Sequence, residues 1–403
     1  NLRIQMIFLT HLRQIPFRLQ GGRLNQLNRQ RNFFSQTARA MASINFHRIT
    51  PSPDPTSKTT PLPRSSHGLS ALKNGTRLVL FGGENVARTP ISDARQALWL
   101  AEKKSGGDDG EWNWISPPAD DGGDGVAPSS RIAHSQAAVG DAVYVFGGRG
   151  GVDIGETALN DLWKLEIIDA EGEYRARWTE ITPAAGSELP EARSFHKMIS
   201  ISTDLYIFGG CGASGRLNDL WKFDTIGREW THLGCSQLLR GRGGPNVLRL
   251  SGGGSSSEDV KIAIVAGFAG EETNDGHIFN NGSWESEGMD GLSDMRKRSV
   301  CSFGSLPQHN KCILFGGEVD PSNKGHEGAG NFERDVVLLD GRSGALLEVI
   351  KPKEGEESSW PEARGWADAA VGGVDSLFLF GGLAGDDTTP ARLDDLWECR
   401  ISS

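Results

Sequence analysis

The apolar residues of this chain recur as short runs that end in small residues, and the endings repeat. LVLFGG closes at Gly83, VYVFGG at Gly148, LYIFGG at Gly210, ILFGG at Gly317 and LFLFGG at Gly382, while IAIVAGF near Phe268 is a degenerate sixth copy. Runs of this length bounded by glycine predict β-strands. Upstream of each lies a segment led by arginine: RSSHGLSAL from Arg64, RIAHSQAAV from Arg131, RSFHKMISI from Arg193, RGGPNVLRL from Arg242, RSVCSFGSL from Arg298 and RGWADAAVG from Arg364. A third strand follows the glycines, clearest as NDLWKL at Asn160, NDLWKF at Asn218 and DDLWEC at Asp394. A fourth carries tryptophan in RWTEITP around Trp178 and EWTHLG around Trp230.

Four short strands repeated about every 50 to 65 residues predict the blades of a propeller. The pattern resembles the kelch repeat, and six copies imply an all-β, six-bladed kelch-type β-propeller. The sixth copy ends at Ser403 without room for a fourth strand. INFHRITP, from Ile44, has the form of RWTEITP with Phe46 in the tryptophan place, so an N-terminal strand is expected to close the last blade and remove two exposed sheet edges. The propeller then spans residues 43–403. Residues 1–42 form a separate Arg-rich extension, disordered or transit-like: the first fifty residues hold eight arginines and no Asp or Glu.

Composition agrees with turns and strands, since 53 of 403 residues are glycine. A formal charge of −10 argues against a general nucleic-acid binder. Five scattered cysteines without a CxxC pair support neither a disulfide framework nor a zinc ribbon, and a cytoplasmic setting is the simpler expectation, mitochondrial if the Arg-rich start is a presequence. No apolar run approaches the ~18 residues of a membrane-spanning helix, so no membrane association is expected.

Strand order places the leading arginines and the loops after the glycine pairs on one face of the ring. Arg64, Arg131, Arg193, Arg298 and Arg364, with Arg242 less securely aligned, are therefore expected around the central opening, where guanidinium forks suit a sulfate, phosphate or carboxylate. His67, His134 and His196 read as packing residues, and the DLW tryptophans as wedges between blades. In the fifth loop, LFGGEVDPSNKGHEGAG sets Glu318, Asp320 and His326 within nine residues, donors of the kind that hold divalent iron. Glu271, Asp275 and His277 are a weaker second group.

RSSHG at Arg64, FGGE at Phe81 and FGGEVDPSNKGHEGAG at Phe315 carry a further resemblance, spanning all six blades, to the kelch-type specifier proteins of glucosinolate breakdown: the nitrile-specifier, epithiospecifier and thiocyanate-forming proteins. The resemblance implies Fe²⁺ bound through a Glu-x-x-x-Asp-x-x-x-His motif, and a sulfated aglucone held by arginines and steered toward nitriles, thiocyanates or epithionitriles. Glu318 takes the Glu place and His326 the His place, Ser322 stands at the centre, and Asp320 is the nearby carboxylate. The implied site comprises Arg64, Arg131 and Arg193 acting on the substrate, Arg298, Arg364 and Trp366 binding it, and Glu318, Asp320 and His326 on the metal. The alternative is a non-catalytic kelch module that binds an acidic peptide or small anion on its arginine-lined face. A copper radical oxidase is excluded because Tyr144 and Tyr206 sit inside strands and only Tyr174 remains.

Overall fold

Six four-stranded antiparallel sheets follow one another along the chain, each joined strand to strand in sequence order except the last. The structure, a computed structural model, describes residues 43–104, 110–120, 126–151, 158–170, 172–252 and 259–402. The Arg-rich segment 1–42 lies outside the described residues. The inner strands are Gly68–Leu72, Ser135–Val139, Lys197–Ile201, Asn246–Leu250, Ser302–Leu306 and Asp368–Gly372, and each touches the next around a closed circle. The chain is a six-bladed β-propeller.

The last blade is completed from the other end of the chain. Ser43–Ile49 pairs antiparallel with Ala391–Ser402, in register from Ser43 against Ser402 to Ile49 against Leu396. Phe46 packs between Phe315 and Trp360, with ring centroids 5.1 and 4.8 Å away, which explains the aromatic at this place. Apolar clusters lie between neighbouring blades, as where Leu80, Trp99 and Trp114 of blade 1 meet Phe378 and Phe380 of blade 6.

The leading arginines fix the blades, and here the structure corrects the sequence reading. Arg64, Arg131, Arg193, Arg242, Arg298 and Arg364 are all essentially without solvent exposure. In each, Nε donates to the carbonyl two residues before it. Nη1 donates to a carbonyl at the end of the second strand, that of Gly82, Gly147, Gly209, Ala266, Gly316 or Gly381. Five of them also grip an aspartate of the third strand through two nitrogens: Asp161, Asp219, Asp275, Asp335 and Asp395. Three of those aspartates accept the indole N–H of Trp163, Trp221 or Trp397 as well, so the DLW signature is the other half of the arginine clamp. In those five arginines at least four of the five N–H groups are so occupied, and with all six side chains shut off from solvent the guanidinium groups are not presented to a ligand at the opening.

Blade 1 lacks the aspartate. Ala97 stands in its place, Arg64 makes do with the Gln96 carbonyl at 2.8 Å, and the Trp99 indole nitrogen has no partner. Burial without a carboxylate pulls the Arg64 pKa down to about 9.

The arginine carbonyls tie blade to blade. Gly83, Gly148, Gly210, Gly267, Gly317 and Gly382 each donate an amide to the next blade's arginine, the last returning to Arg64. Two residues past each arginine, Ser66, Ala133, Phe195, Gly244, Val300 and Trp366 all have φ between +49° and +60°. Their amides and carbonyls form a second closed circle: Ser66 to Trp366, Trp366 to Val300, Val300 to Gly244, Gly244 to Phe195, Phe195 to Ala133 and Ala133 to Ser66, at 2.8–3.1 Å. Left-handed backbone is costly for branched or bulky residues, and six cooperating hydrogen bonds hold it in place.

The clamp predicts opposite effects at two sites. Asp219→Ala leaves Arg193 buried and unpaired and costs about 3 kcal/mol in a denaturant titration. Ala97→Asp gives Arg64 and Trp99 their missing acceptor and raises stability by about 1.5 kcal/mol. Equal stability in both variants and the parent would contradict the clamp.

Candidate functional site

With the arginines inside the blades, the residues that reach the axis are their neighbours. The residue after each arginine bridges to the residue after each glycine pair: Ser65 to Glu84, Ile132 to Arg149, Ser194 to Cys211, Gly243 to Phe268, Ser299 to Glu318 and Gly365 to Leu383. A cavity of about 340 Å³ opens inside this set. Phe195, Gly244, Val300 and Trp366 of the hydrogen-bonded circle line it and also line a smaller space beyond, so the circle is the floor of a blind pocket. The walls carry Ser65, Glu84, Cys211, Phe268, Ser299 and Glu318.

Two extra hairpins shape the walls, Glu84–Val86 with Thr89–Pro90 and Glu318–Asp320 with Asn331–Phe332. Glu84 is balanced: Arg392 lies 3.3 Å from Oε1, the Ser65 hydroxyl donates to the same oxygen at 3.2 Å, and the Arg88 amide donates to Oε2. Among the described residues no cation pairs with Glu318. Burial pushes its pKa up to about 7, opposed by the amides of Ser322 and Gly330 and assisted by the charge of Asp387. Behind it, Glu272 is 5 % exposed and neither carboxylate oxygen makes a hydrogen bond of ordinary geometry. Burial, and then the charge of Glu318, push its pKa up to about 8, although the Ser299 hydroxyl lies near enough to favour the charged form. Arg216, exposed, stacks its guanidinium 4.6 Å over the Phe268 ring and is the cation facing the cavity.

The expected metal residues are not brought together as a trio. Glu318 lies in the cavity wall, whereas Asp320 turns outward to Arg296 at 3.0 Å. The side chain of His326 lies outside the described residues. Among the described residues no three acids, histidines or cysteines converge in a metal-binding group. At the central position the Ser322 hydroxyl donates to Asp387, a carboxylate from the sixth blade's loop. Gly328 makes room for this contact, because a Cβ there would lie 2.2 Å from Ser322 Oγ and 2.3 Å from Asp387 Oδ1. Glu318 and Asp387 are thus carboxylates of adjacent blades, near enough for the charge of Asp387 to help raise the Glu318 pKa.

The second candidate group dissolves. Asp275 belongs to the Arg242 clamp, Glu271 pairs with Arg240, and His277 is buried between the Ser236 hydroxyl and the Glu285 carbonyl. His67, His134 and His196 lie edge-on against Phe380, Phe81 and Phe146, and burial drives their pKa values down, to about 3 for His134. Trp366 does reach the cavity as expected, meeting Phe195 edge to face at 5.6 Å. Phe195, Glu84, Glu272 and Asp387 were missed. The first two stand at fixed offsets from arginine and glycine pair, and that offset was the available signal.

Fold and repeats make the chain a kelch-repeat propeller. The KLHDC2/KLHL20/DRC7 kelch-repeats domain matches residues 150–317. The N-(sulfonatooxy)prop-2-enimidothioate sulfolyase of Thlaspi arvense is 26% identical over 362 residues, covering 85% of this chain and 94% of that protein. The host cell factor of Drosophila melanogaster is 28% identical over 167 residues, 39% of this chain but 10% of its own length. Among solved structures, that titled "Structure of YjhT" superposes with a TM-score of 0.56 at 15% identity, covering 85% of this chain and 98% of that one, a likeness of fold.

The buried glutamates set a pH dependence of stability. Both have folded-state pKa values above the ordinary 4.5, so the folded chain binds more protons than the unfolded one between pH 4.5 and about 8. Their stabilising contribution is complete below pH 4.5 and is lost as pH rises through 7 to 8. In the presence of a chelator, the melting temperature falls from pH 6 to pH 9, and the Glu272→Gln, Glu318→Gln double variant shows a smaller fall. An identical fall in the variant would contradict the placement of these side chains.

Proposed function

We propose that this chain is a specifier-like lyase that takes a small sulfated thiohydroximate-type anion into the blind cavity and assists loss of its sulfate. The observation that carries the reading is similarity over 85% of the chain to a protein whose name describes a sulfolyase. Cavity size and lining support it. About 340 Å³ with aromatic walls suits a small ligand with an apolar side chain, which Phe195, Phe268 and Trp366 would pack. The exposed Arg216 meets the incoming negative charge, and the Ser65 and Ser299 hydroxyls are placed to orient polar atoms. In the metal-free site Glu318, with its pKa pushed up to about 7, is partly protonated near neutral pH and offers an O–H to the departing oxygen, a role it would give up as a metal ligand. The floor excludes water from the far side.

Ferrous iron enters the same reading through Glu318 and Asp387, which would hold it, and when bound it supplies Lewis-acid or electron-donor chemistry. A second reading, docking of a protein partner, is favoured by exposed apolar side chains in loops of the cavity face, including Leu62, Val86, Leu189 and Leu238.

The test is a reaction in which a thioglucosidase hydrolyses a glucosinolate with the full chain and Fe²⁺ present. We expect nitrile or thiocyanate above the iron-only control at the expense of isothiocyanate, with at least a tenfold loss in Glu318→Ala and Asp387→Ala. An unchanged product ratio with the parent protein removes the lyase reading and leaves the docking one.

A further inference from the structure

A second cavity, of about 360 Å³, lies on the axis at the opposite end from the first, bounded by the inner strands of all six blades. The two share no lining residue, and the floor circle and the smaller space beneath it stand between them. Lys197 of blade 3 lines both that small space and the second cavity. Its Nζ reaches across the axis to Asp368 of blade 6, the opposite blade, at 2.8 Å. The ion pair therefore roofs the second cavity.

Below this roof the inner strands carry small residues level with one another, Ala71, Ala138, Ser200 and Ser305, and at the same level in blade 4 stands Arg249. The small side chains leave the space, and the arginine projects a charge into it. Among the described residues no carboxylate pairs with the Arg249 guanidinium, in contrast to the six arginines that lead the inner strands, whose donors are taken up by carbonyls and, in five of them, by aspartates as well. Lys197 gives one N–H to Asp368 and keeps further donors, while the second oxygen of Asp368 is taken by the Leu69 amide at 2.9 Å. The three charged side chains of the cavity, Arg249, Lys197 and Asp368, sum to +1 within walls that are otherwise apolar or hydroxyl-bearing save for the Gln136 amide, whose nitrogen is taken by the Ser70 hydroxyl and the Val79 carbonyl. A half-buried guanidinium with no carboxylate partner among the described residues attracts a tetrahedral oxyanion or carboxylate by its planar fork, and the Ser200 and Ser305 hydroxyls add neutral donors.

We propose that this second axial cavity is a binding site for a small oxyanion, free or carried as a phosphate group, with Arg249 as the principal ligand and Lys197 behind it. The site is independent of the first cavity and of the reaction proposed there. It places anion recognition on the face opposite to the one the leading arginines suggested.

The test is calorimetric titration of the full chain with inorganic phosphate and, separately, with glycerol phosphate, in a buffer of weakly binding ions. We expect saturable binding of at least one of them, weakened by added NaCl, at least tenfold weaker in Arg249→Met, and abolished in Ala71→Leu, which narrows the cavity with Arg249 intact. Glu318→Gln leaves it unchanged. Tighter glycerol phosphate identifies a phosphorylated metabolite as the occupant class, and tighter inorganic phosphate a free anion; either supports the site. Absence of saturable binding to the parent, or affinities within twofold of the parent in both folded variants, overturns it.

Discussion

Every inner strand of this propeller starts from an arginine that has been taken fully out of water, and the rest of the structure depends on how that charge is satisfied. Removing a guanidinium from solvent is tolerable only when carbonyls and carboxylates meet its donors in fixed directions. They are met by a carbonyl at the end of the second strand, in a glycine pair in five blades and at Ala266 in the fourth, and in every blade but the first by an aspartate at the start of the third strand. Those contacts lock three of the four strands of a blade together. The arginine carbonyl, held still by the same clamp, accepts the amide of the preceding blade's glycine. Local satisfaction of one cation thereby becomes registration of neighbouring blades. Two residues on, the left-handed circle of six amides closes the axis.

This arrangement separates positions that build from positions that act. Arginine, the glycine pair and aspartate are consumed in construction, whereas the residues after the arginine and after the glycine pair vary from blade to blade and supply much of the cavity wall. The first cavity takes glutamate, cysteine, phenylalanine and leucine at one offset and serine or glycine at another. Where blades 4 and 5 meet, Glu272 lies behind Glu318, two carboxyl groups in one desolvated corner. At the other end of the axis the same logic leaves Arg249 facing open space among small residues.

The fold was legible because a repeat multiplies weak signals: one Phe-Gly-Gly means little, six in register with arginine and tryptophan define blades. Closure by Ser43–Ile49 was legible too, since Phe46 filled the aromatic place of an absent strand. The site was legible only in part. Glu318 and Trp366, singled out from the sequence, do line the cavity, but the arginines were assigned to the opening because their strand ends lie there, and strand order says nothing about whether a side chain turns toward the axis or into its own blade. Asp161, Asp219, Asp275, Asp335 and Asp395 were the missing half of that decision, and they stand 26 to 37 residues away along the chain. Asp387 was invisible for the same reason, because its meeting with Ser322 spans 65 residues.

The most direct test of this account is amide hydrogen exchange at the six floor residues, Ser66, Ala133, Phe195, Gly244, Val300 and Trp366. If the circle is a rigid partition fixed by the arginine clamps, all six exchange together and only by global unfolding, and an Asp219→Ala variant lowers their protection equally. Exchange of these amides by local opening, or at rates that differ from blade to blade, would contradict a closed floor and the separation of the two cavities that rests on it.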